Sequence, residues 1–300
     1  MIPAPGAHGG DGHRLAAALG IASDSVLDLS MSLNPFAPDV AARLLPHLGR
    51  ARQYPDPGRA TDALAHTLGI DAGRVVLTNG GAEAIALVAA EWPVGHVEDP
   101  EFSLYARHLR ACAPDAPRWR SNPNNPTGQL AGERETAAVW DEAFYPLATG
   151  RWTRGDDSVV VGSLTKVFGC PGLRVGYALA PDRGTAQRIA RRQPEWSVNA
   201  LACAVVPELL ASADLPAWAA GIRAGRADLE ALLRAHGLEP EPSDANFLLV
   251  RDAPGLRAHL APHGILVRDT ASFGIPGGAR IAVPDTGGLD QLLDALKGYR

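Results

Sequence analysis

Short apolar runs, each closed by turn-forming residues, alternate with longer stretches of helical periodicity through the first two-thirds of this chain. That alternation limits the fold more than any other feature. Strands separated by crossover helices pair in parallel and need helices on both faces of the sheet. Strands are expected at 74–78, 94–98, 137–140, 158–162 and 175–180, with helices at 60–68, 82–91, 104–111 and 185–192. Helices at 201–211 and 217–236 then precede strands at 246–250 and 280–283 and a last helix at 289–297. The change of pattern reads as a second, α+β lobe beginning near residue 200.

Of the 28 lysines and arginines only two are lysines, Lys166 and Lys297. The chain meets its need for positive charge with arginine, so Lys166 calls for another explanation. A lysine amine gives up its proton when desolvated or set beside other cations and then forms Schiff bases, which arginine cannot do. Lys166 sits in the run Ser163-Leu-Thr165-Lys166-Val-Phe-Gly-Cys-Pro-Gly-Leu-Arg174. Two hydroxyls and a guanidinium beside a reactive amine suit an aldehyde cofactor that carries a phosphate.

Four upstream motifs bear on the same chemistry, each with a bland alternative. Leu77-Thr-Asn-Gly80-Gly81-Ala82-Glu83 takes a strand through a glycine pair into a helix. Such a turn either aims free N–H groups and a helix dipole at an anion or is a plain connection. Tyr105 follows the next strand, placed to stack on a flat ring or simply to pack. Ser121-Asn-Pro-Asn-Asn125-Pro-Thr-Gly128 is too rich in turn formers to be core, and Asn125 offers an amide donor suited to a phenolate oxygen. Asp141 ends an expected strand, where ligands sit on open parallel sheets. A carboxylate there either keeps a pyridine nitrogen protonated or caps a helix.

In this order the motifs resemble the fold-type-I pyridoxal-phosphate enzymes, the aspartate-aminotransferase-like superfamily, over nearly the whole chain. The lysine segment and Asn-Pro-Asn-Asn-Pro-Thr-Gly resemble the branch that contains histidinol-phosphate aminotransferase and threonine-phosphate decarboxylase. The resemblance implies an N-terminal segment (1–35) packed on the small domain, a mostly parallel α/β large domain (36–200) that binds the cofactor, and a small α+β C-terminal domain (201–300). It implies pyridoxal 5′-phosphate as the cofactor and no metal. Lys166 would carry the Schiff base, Asp141 would pair with the ring nitrogen, Asn125 would bind the ring hydroxyl oxygen and Tyr105 would stack on the ring. Gly81, Ala82, Ser163, Thr165 and Arg174 would hold the cofactor phosphate. Tyr54 would reach the cofactor phosphate of a neighbouring subunit, which implies a homodimer. Arg280 would clamp the substrate carboxylate and Arg268 would lie near a distal phosphate, with His8, Gly9 and Asn34 also on the substrate side.

Within the branch, His8-Gly9-Gly10 and Phe144 lean toward the decarboxylase. The expected reaction is decarboxylation of L-threonine O-3-phosphate to 1-amino-2-propanol O-2-phosphate in cobalamin biosynthesis. An aminotransferase of the histidinol-phosphate type and a non-catalytic ligand-binding protein of the same fold are the alternatives. Two departures stand out. About forty residues separate Pro100 from Asp141, so one or more strand–helix elements should be shortened or missing, and Pro284 follows Arg280-Ile-Ala-Val where decarboxylase relatives often carry arginine.

Composition narrows the partners. At 300 residues, 46% hydrophobic and 20% charged, the chain suits one large domain with a smaller companion. A net charge of -5 with scattered arginines argues against nucleic acid as a partner. Cys112, Cys170 and Cys203 form no disulfide or zinc spacing. No apolar run approaches bilayer length and the N-terminus has no signal-peptide pattern, so a cytoplasmic enzyme without membrane contacts is expected, its partner a phosphorylated amino acid or amine.

Overall fold

The structure, a computed structural model, describes residues 2–155 and 157–299. Strand β1 (Leu27–Asp28) belongs to the C-terminal lobe, described below. The large sheet contains β2 (Val75–Thr78), β3 (Val94–Val97), β4 (Ala111–Cys112), β5 (Arg118–Ser121), β6 (Val139–Asp141), β7 (Val159–Gly162) and β8 (Gly176–Leu179). Their spatial order is β2-β8-β7-β6-β5-β3-β4, with β8 antiparallel to both its neighbours and every other pair parallel.

Alternation along these strands feeds two cores, as the period-2 geometry of a strand requires. Val76, Val139 and Val161 pack with Ala84 and Val88 of the helix Gly81–Glu91. Leu77, Trp140 and Val160 pack on the other face with Leu64 of the helix Gly58–Leu68 and Val206 of the helix Ala200–Ala211. Strands β2, β7 and β8 are buried along their whole length, which explains their continuous apolar runs.

The short middle of the chain keeps its strands and gives up helices. Residues 113–117 link β4 to β5 and residues 122–138 link β5 to β6, neither with a helix. In place of helices, charged side chains cover the sheet face. Glu135 pairs with Arg118 at 2.9 Å and with Arg120 at 2.5 Å, and the Arg154 guanidinium lies 4.8 Å from the Trp140 ring. Arg154 also donates to the carbonyls of Glu133 and Glu135 at 3.0 and 2.9 Å. This cover hides β5 from a reading of apolar runs, because Arg118-Trp-Arg-Ser121 has one apolar residue in four.

The C-terminal lobe adds β9 (Phe247–Val250), β10 (Ile265–Leu266), β11 (Arg268–Asp269) and β12 (Ala279–Ala282). Strand β12 lies between β9 and β11, antiparallel to both, while β10 pairs in parallel with β1. Leu29 shares a core with Leu248, Ile281 and Leu292, so the N-terminal segment packs on this lobe. The change of core falls inside the helix Leu215–Ala235. Leu215, Trp218 and Ile222 belong to the large-sheet core, whereas Leu229 and Leu233 belong to the second. One helix thus carries apolar side chains for both cores. Asn199, Asp214 and Asp285 fix helix starts here, each side chain accepting a first-turn N–H.

Among the described residues, no single helix is long and apolar enough to cross a membrane, and no group of three or more His, Cys, Asp or Glu is placed to hold a metal ion.

Candidate active site

The carboxyl ends of β2, β5, β6 and β7 meet along one edge of the sheet; Asp141 ends β6, and the segments that follow β2, β5 and β7 carry Gly81, Asn125 and Lys166. Strand β8 runs the other way, so its entry, at Arg174, reaches the same edge. With the second lobe above them, these loops enclose a cavity of about 500 Å³.

Lys166 lies on the short helix Leu164–Val167 directly after β7, and its Nζ donates to the Met31 carbonyl at 2.6 Å. Burial, then the nearby Arg280 and Arg174 guanidiniums, bring the amine down to about 7. It is therefore largely uncharged just above neutral pH, as a nucleophilic amine must be. Thr165 pins this helix in place: its N–H and hydroxyl both donate to the Val175 carbonyl, at 3.0 and 3.2 Å.

The glycine turn after β2 forms one end of the cavity. Gly80 has φ +80°, and a Cβ there would stand 2.6 Å from an Arg174 guanidinium nitrogen. Only glycine meets both demands, and its absence of side chain lets Arg174 lie over the N-terminus of the helix Gly81–Glu91. Gly81, Ala82, Ser163, Thr165 and Arg174 all border the cavity here. A cradle of backbone N–H groups, hydroxyls and one guanidinium fits a phosphate.

At the other end Asp141 is buried, and burial raises its carboxyl above the usual range even though Tyr105 and the Ala143 N–H both bond it. A buried carboxyl of raised affinity for protons is matched to a ring nitrogen that keeps its proton in the site. Asn125 Oδ1 accepts from Arg280, which leaves the Nδ2 donor of the amide for a ligand oxygen. Phosphate cradle, amine, amide donor and buried carboxyl fit pyridoxal 5′-phosphate.

Two further guanidiniums close the cavity from the second lobe. Arg280, 5% exposed, bonds Asn125 and the Ser30 carbonyl, while its Nε has no partner. Burial and the neighbouring Arg268 lower it to about 9. Such a buried cation calls for an anion. Arg268 donates to the Gly6 and Ala7 carbonyls and to Ser272 Oγ. It thereby fixes the segment that places His8 in the cavity wall. His8 Nδ1 is buried with no partner, and a Cβ on Gly9 would stand 2.4 Å from the Ser30 carbonyl oxygen. The His-Gly-Gly segment is thus fitted wall.

Two sequence expectations change, those for Tyr105 and Asn34. Tyr105 does not face the cavity: it is fully buried, its ring packs against Trp119, and its hydroxyl donates to Asp141 Oδ2 at 2.8 Å. Phe102 and Leu104 line the cavity at that level. Tyrosine after a strand carries no sign of which way its ring turns, and here the helix Leu104–His108 turns it inward. Asn34 also faces away from the cavity. Its Nδ2 donates to the Val167 carbonyl, its Oδ1 accepts the Phe36 N–H, and its own N–H bonds the Lys166 carbonyl, so it ties the N-terminal strap to the lysine helix. Tyr54 stands outside its own chain's cavity, 78% exposed and 4.5 Å from the Trp196 ring. Sequence reading missed Phe144, whose ring is 5.7 Å from Lys166 Nζ, as a wall of the site, and missed Glu101 and Ser121 behind it. The only signal for Glu101 was an acid in the Asp99-Pro-Glu turn after β3.

Residues 119–296 match the family described as aminotransferase class I and II. The chain belongs to this family. Among family members, it is 28% identical to the threonine-phosphate decarboxylase of Salmonella typhimurium, across 97% of this chain and 96% of that protein. It is 29% identical to histidinol-phosphate aminotransferase 1 of Thiobacillus denitrificans, across 94% and 87%. A putative aminotransferase from Burkholderia pseudomallei superposes with a TM-score of 0.80 at 25% identity, covering 91% of this chain and 98% of that one. The histidinol-phosphate aminotransferase of Sinorhizobium meliloti shares the fold at TM-score 0.80 and 18% identity, covering 96% and 95%. The fold is thus aspartate-aminotransferase-like, and the chain is an enzyme of the aminotransferase and decarboxylase kind.

Proposed function

We propose that this enzyme uses pyridoxal phosphate to decarboxylate L-threonine O-3-phosphate to 1-amino-2-propanol O-2-phosphate, within cobalamin biosynthesis, as a cytoplasmic homodimer. One observation carries the reading: two buried guanidiniums, Arg280 and Arg268, line one cavity with Lys166, and the His8-Gly9 wall completes it. Two cationic positions suit a substrate with two anionic ends, one a carboxylate and one a phosphate.

When bound, pyridoxal phosphate supplies an aldehyde for amines and a ring that takes up the electron pair of a broken Cα bond. The chain's own residues do the rest. Lys166, near 7, offers a neutral amine and afterwards a proton carrier at Nζ. Asp141, bonded by Tyr105, holds a ring N–H. Arg280 grips the substrate carboxylate and so sets which Cα bond stands perpendicular to the ring. Arg268 and His8 take the distal phosphate. Phe102, Phe144 and Phe273 exclude water from the reacting centre.

The exposed Tyr54–Trp196 pair supports the homodimer, since a tyrosine outside its own cavity is placed to serve a neighbour's. Transamination of histidinol phosphate is the second reading, favoured by the relative from Thiobacillus denitrificans and by Pro284 after β12. The purified protein, loaded with cofactor, should release CO₂ from threonine phosphate and leave 2-oxoglutarate untouched. Transamination of histidinol phosphate with no CO₂ from threonine phosphate would establish the second reading.

A further inference from the structure

Glu101 is 5% exposed, and none of the chemistry above uses it. Its carboxyl accepts the Ser121 N–H at 2.9 Å and the Phe102 N–H at 3.2 Å, and meets the Ser121 hydroxyl at 2.5 Å. The Ser121 oxygen accepts the Asn125 N–H at 2.7 Å. Tyr105 in turn donates to Asp141. On its outer side Glu101 borders a second recess, of about 270 Å³, shared with Arg118 and Arg120. One carboxyl therefore stands between that recess and the ring end of the active-site cavity.

We propose that Glu101 is a positioning residue, which transmits its own protonation state from the outer recess through Ser121 to Asn125 and, by its charge, to the Tyr105–Asp141 pair. The inference rests on the reading of Asp141 as the partner of the cofactor ring.

The charges around Glu101 are mixed. Asp141 on β6 and Tyr105 on the helix Leu104–His108 face it from inside. Arg118 and Arg120 on β5, each paired with Glu135, and Glu98 and Asp99 on the preceding segment share the recess. Burial, with Asp141 adding to it, raises the Glu101 carboxyl to about 7 against the hydrogen bonds from Ser121 and Phe102.

The two forms differ in hydrogen-bond direction. A protonated Glu101 donates to Ser121 Oγ, which turns the serine hydrogen away from the carboxyl. An ionised Glu101 accepts that hydrogen, and its proton leaves to water in the recess. Its negative charge then strengthens the hold of the Asp141 pair on a proton. The ring end of the site thus changes with the protonation of Glu101.

The test is a pH titration from 5.5 to 8.5 of the affinity of the apoprotein for pyridoxal phosphate and of the absorbance of the bound cofactor. Wild type should pass through a step near pH 7, part of it the neutralisation of Lys166, and Glu101→Gln, which copies the protonated acid, should shrink that step by about threefold in affinity. Carbon-13 NMR of the labelled apoprotein should find a glutamate carboxyl that titrates near 7 and is missing in Glu101→Gln. Ser121→Ala should keep that carboxyl titration but shrink the step in the cofactor signal. A step that persists unchanged in either variant, or the absence of a near-neutral carboxyl, overturns the proposal. Unaltered pyridoxal phosphate affinity in Asp141→Asn would overturn the cofactor reading instead, since the NMR result does not depend on it.

Discussion

The Tyr105 hydroxyl lies 2.8 Å from Asp141 Oδ2, behind the cavity wall, so the tyrosine works on the carboxylate and leaves the ring face to other residues. Tyr105→Phe separates the two roles. A stacking ring would be replaced by phenylalanine almost without loss. Loss of the bond to a buried carboxylate should lower kcat roughly tenfold and cost about 1–2 kcal/mol in stability. Steady-state kinetics and thermal melts of the variant measure both.

Lys166 and Lys297 should differ in reactivity. The amine of Lys166 sits near 7, whereas Lys297 is at the surface, paired with Asp294 at 2.6 Å. Brief treatment of the apoprotein with an amine-acylating reagent at pH 7.5, followed by peptide mass spectrometry, should find Lys166 labelled first. Pyridoxal phosphate should protect it. Lys166→Ala should lose at least about a thousandfold in activity while keeping its fold.

Arg280 should trade stability against function. It is a buried cation beside Arg268, with its Nε unpartnered. Arg280→Met should leave the apoprotein as stable as wild type or more so, by up to about 2 kcal/mol, since a hydrophobe of similar length carries no desolvation cost. The same change should cut kcat/KM on a carboxylate substrate about a hundredfold or more. Inorganic phosphate or sulfate should raise the melting temperature of wild type more than that of the variant.

The apoprotein should show opposing pH limbs in stability. Glu101 is raised from 4.5 to about 7, so between those values the folded state holds a proton the unfolded chain has released, and stability falls as pH rises. Lys166 is lowered from 10.5 to about 7, so above 7 the unfolded chain holds the extra proton, and stability climbs. Each contribution is on the order of 3 kcal/mol. Urea melts from pH 5 to 9 should find Glu101→Gln flattening the acid limb and Lys166→Met the alkaline one.

Much of this was legible before any coordinates. Strands such as β2 and β7 are fully buried, and their unbroken apolar runs declare them. Lys166, Asp141, Asn125 and Arg174 are visible because catalytic chemistry demands particular residue types at strand ends. Side-chain direction is not visible in that way. Whether Tyr105 turns to the cavity or the core, and whether Asn34 points at a ligand or at Val167, is decided by the packing of distant segments. Glu101 and Ser121 were hidden for a related reason. Their bond joins residues twenty apart in sequence, and neither motif announces the other.

The stretch of sheet over Trp140 has a property the rest lacks. Its lid is made of charges, Arg120 and Arg154 held against Glu135, where a crossover helix would bring apolar side chains. Apolar contact is indifferent to dissolved ions, but attraction between partly exposed charges is screened within about 8 Å at physiological ionic strength. The segment 122–138, which carries Asn125, is therefore held in part by ion pairs, which salt weakens as it does not weaken apolar packing. Changes in salt should reach the cofactor site from that side.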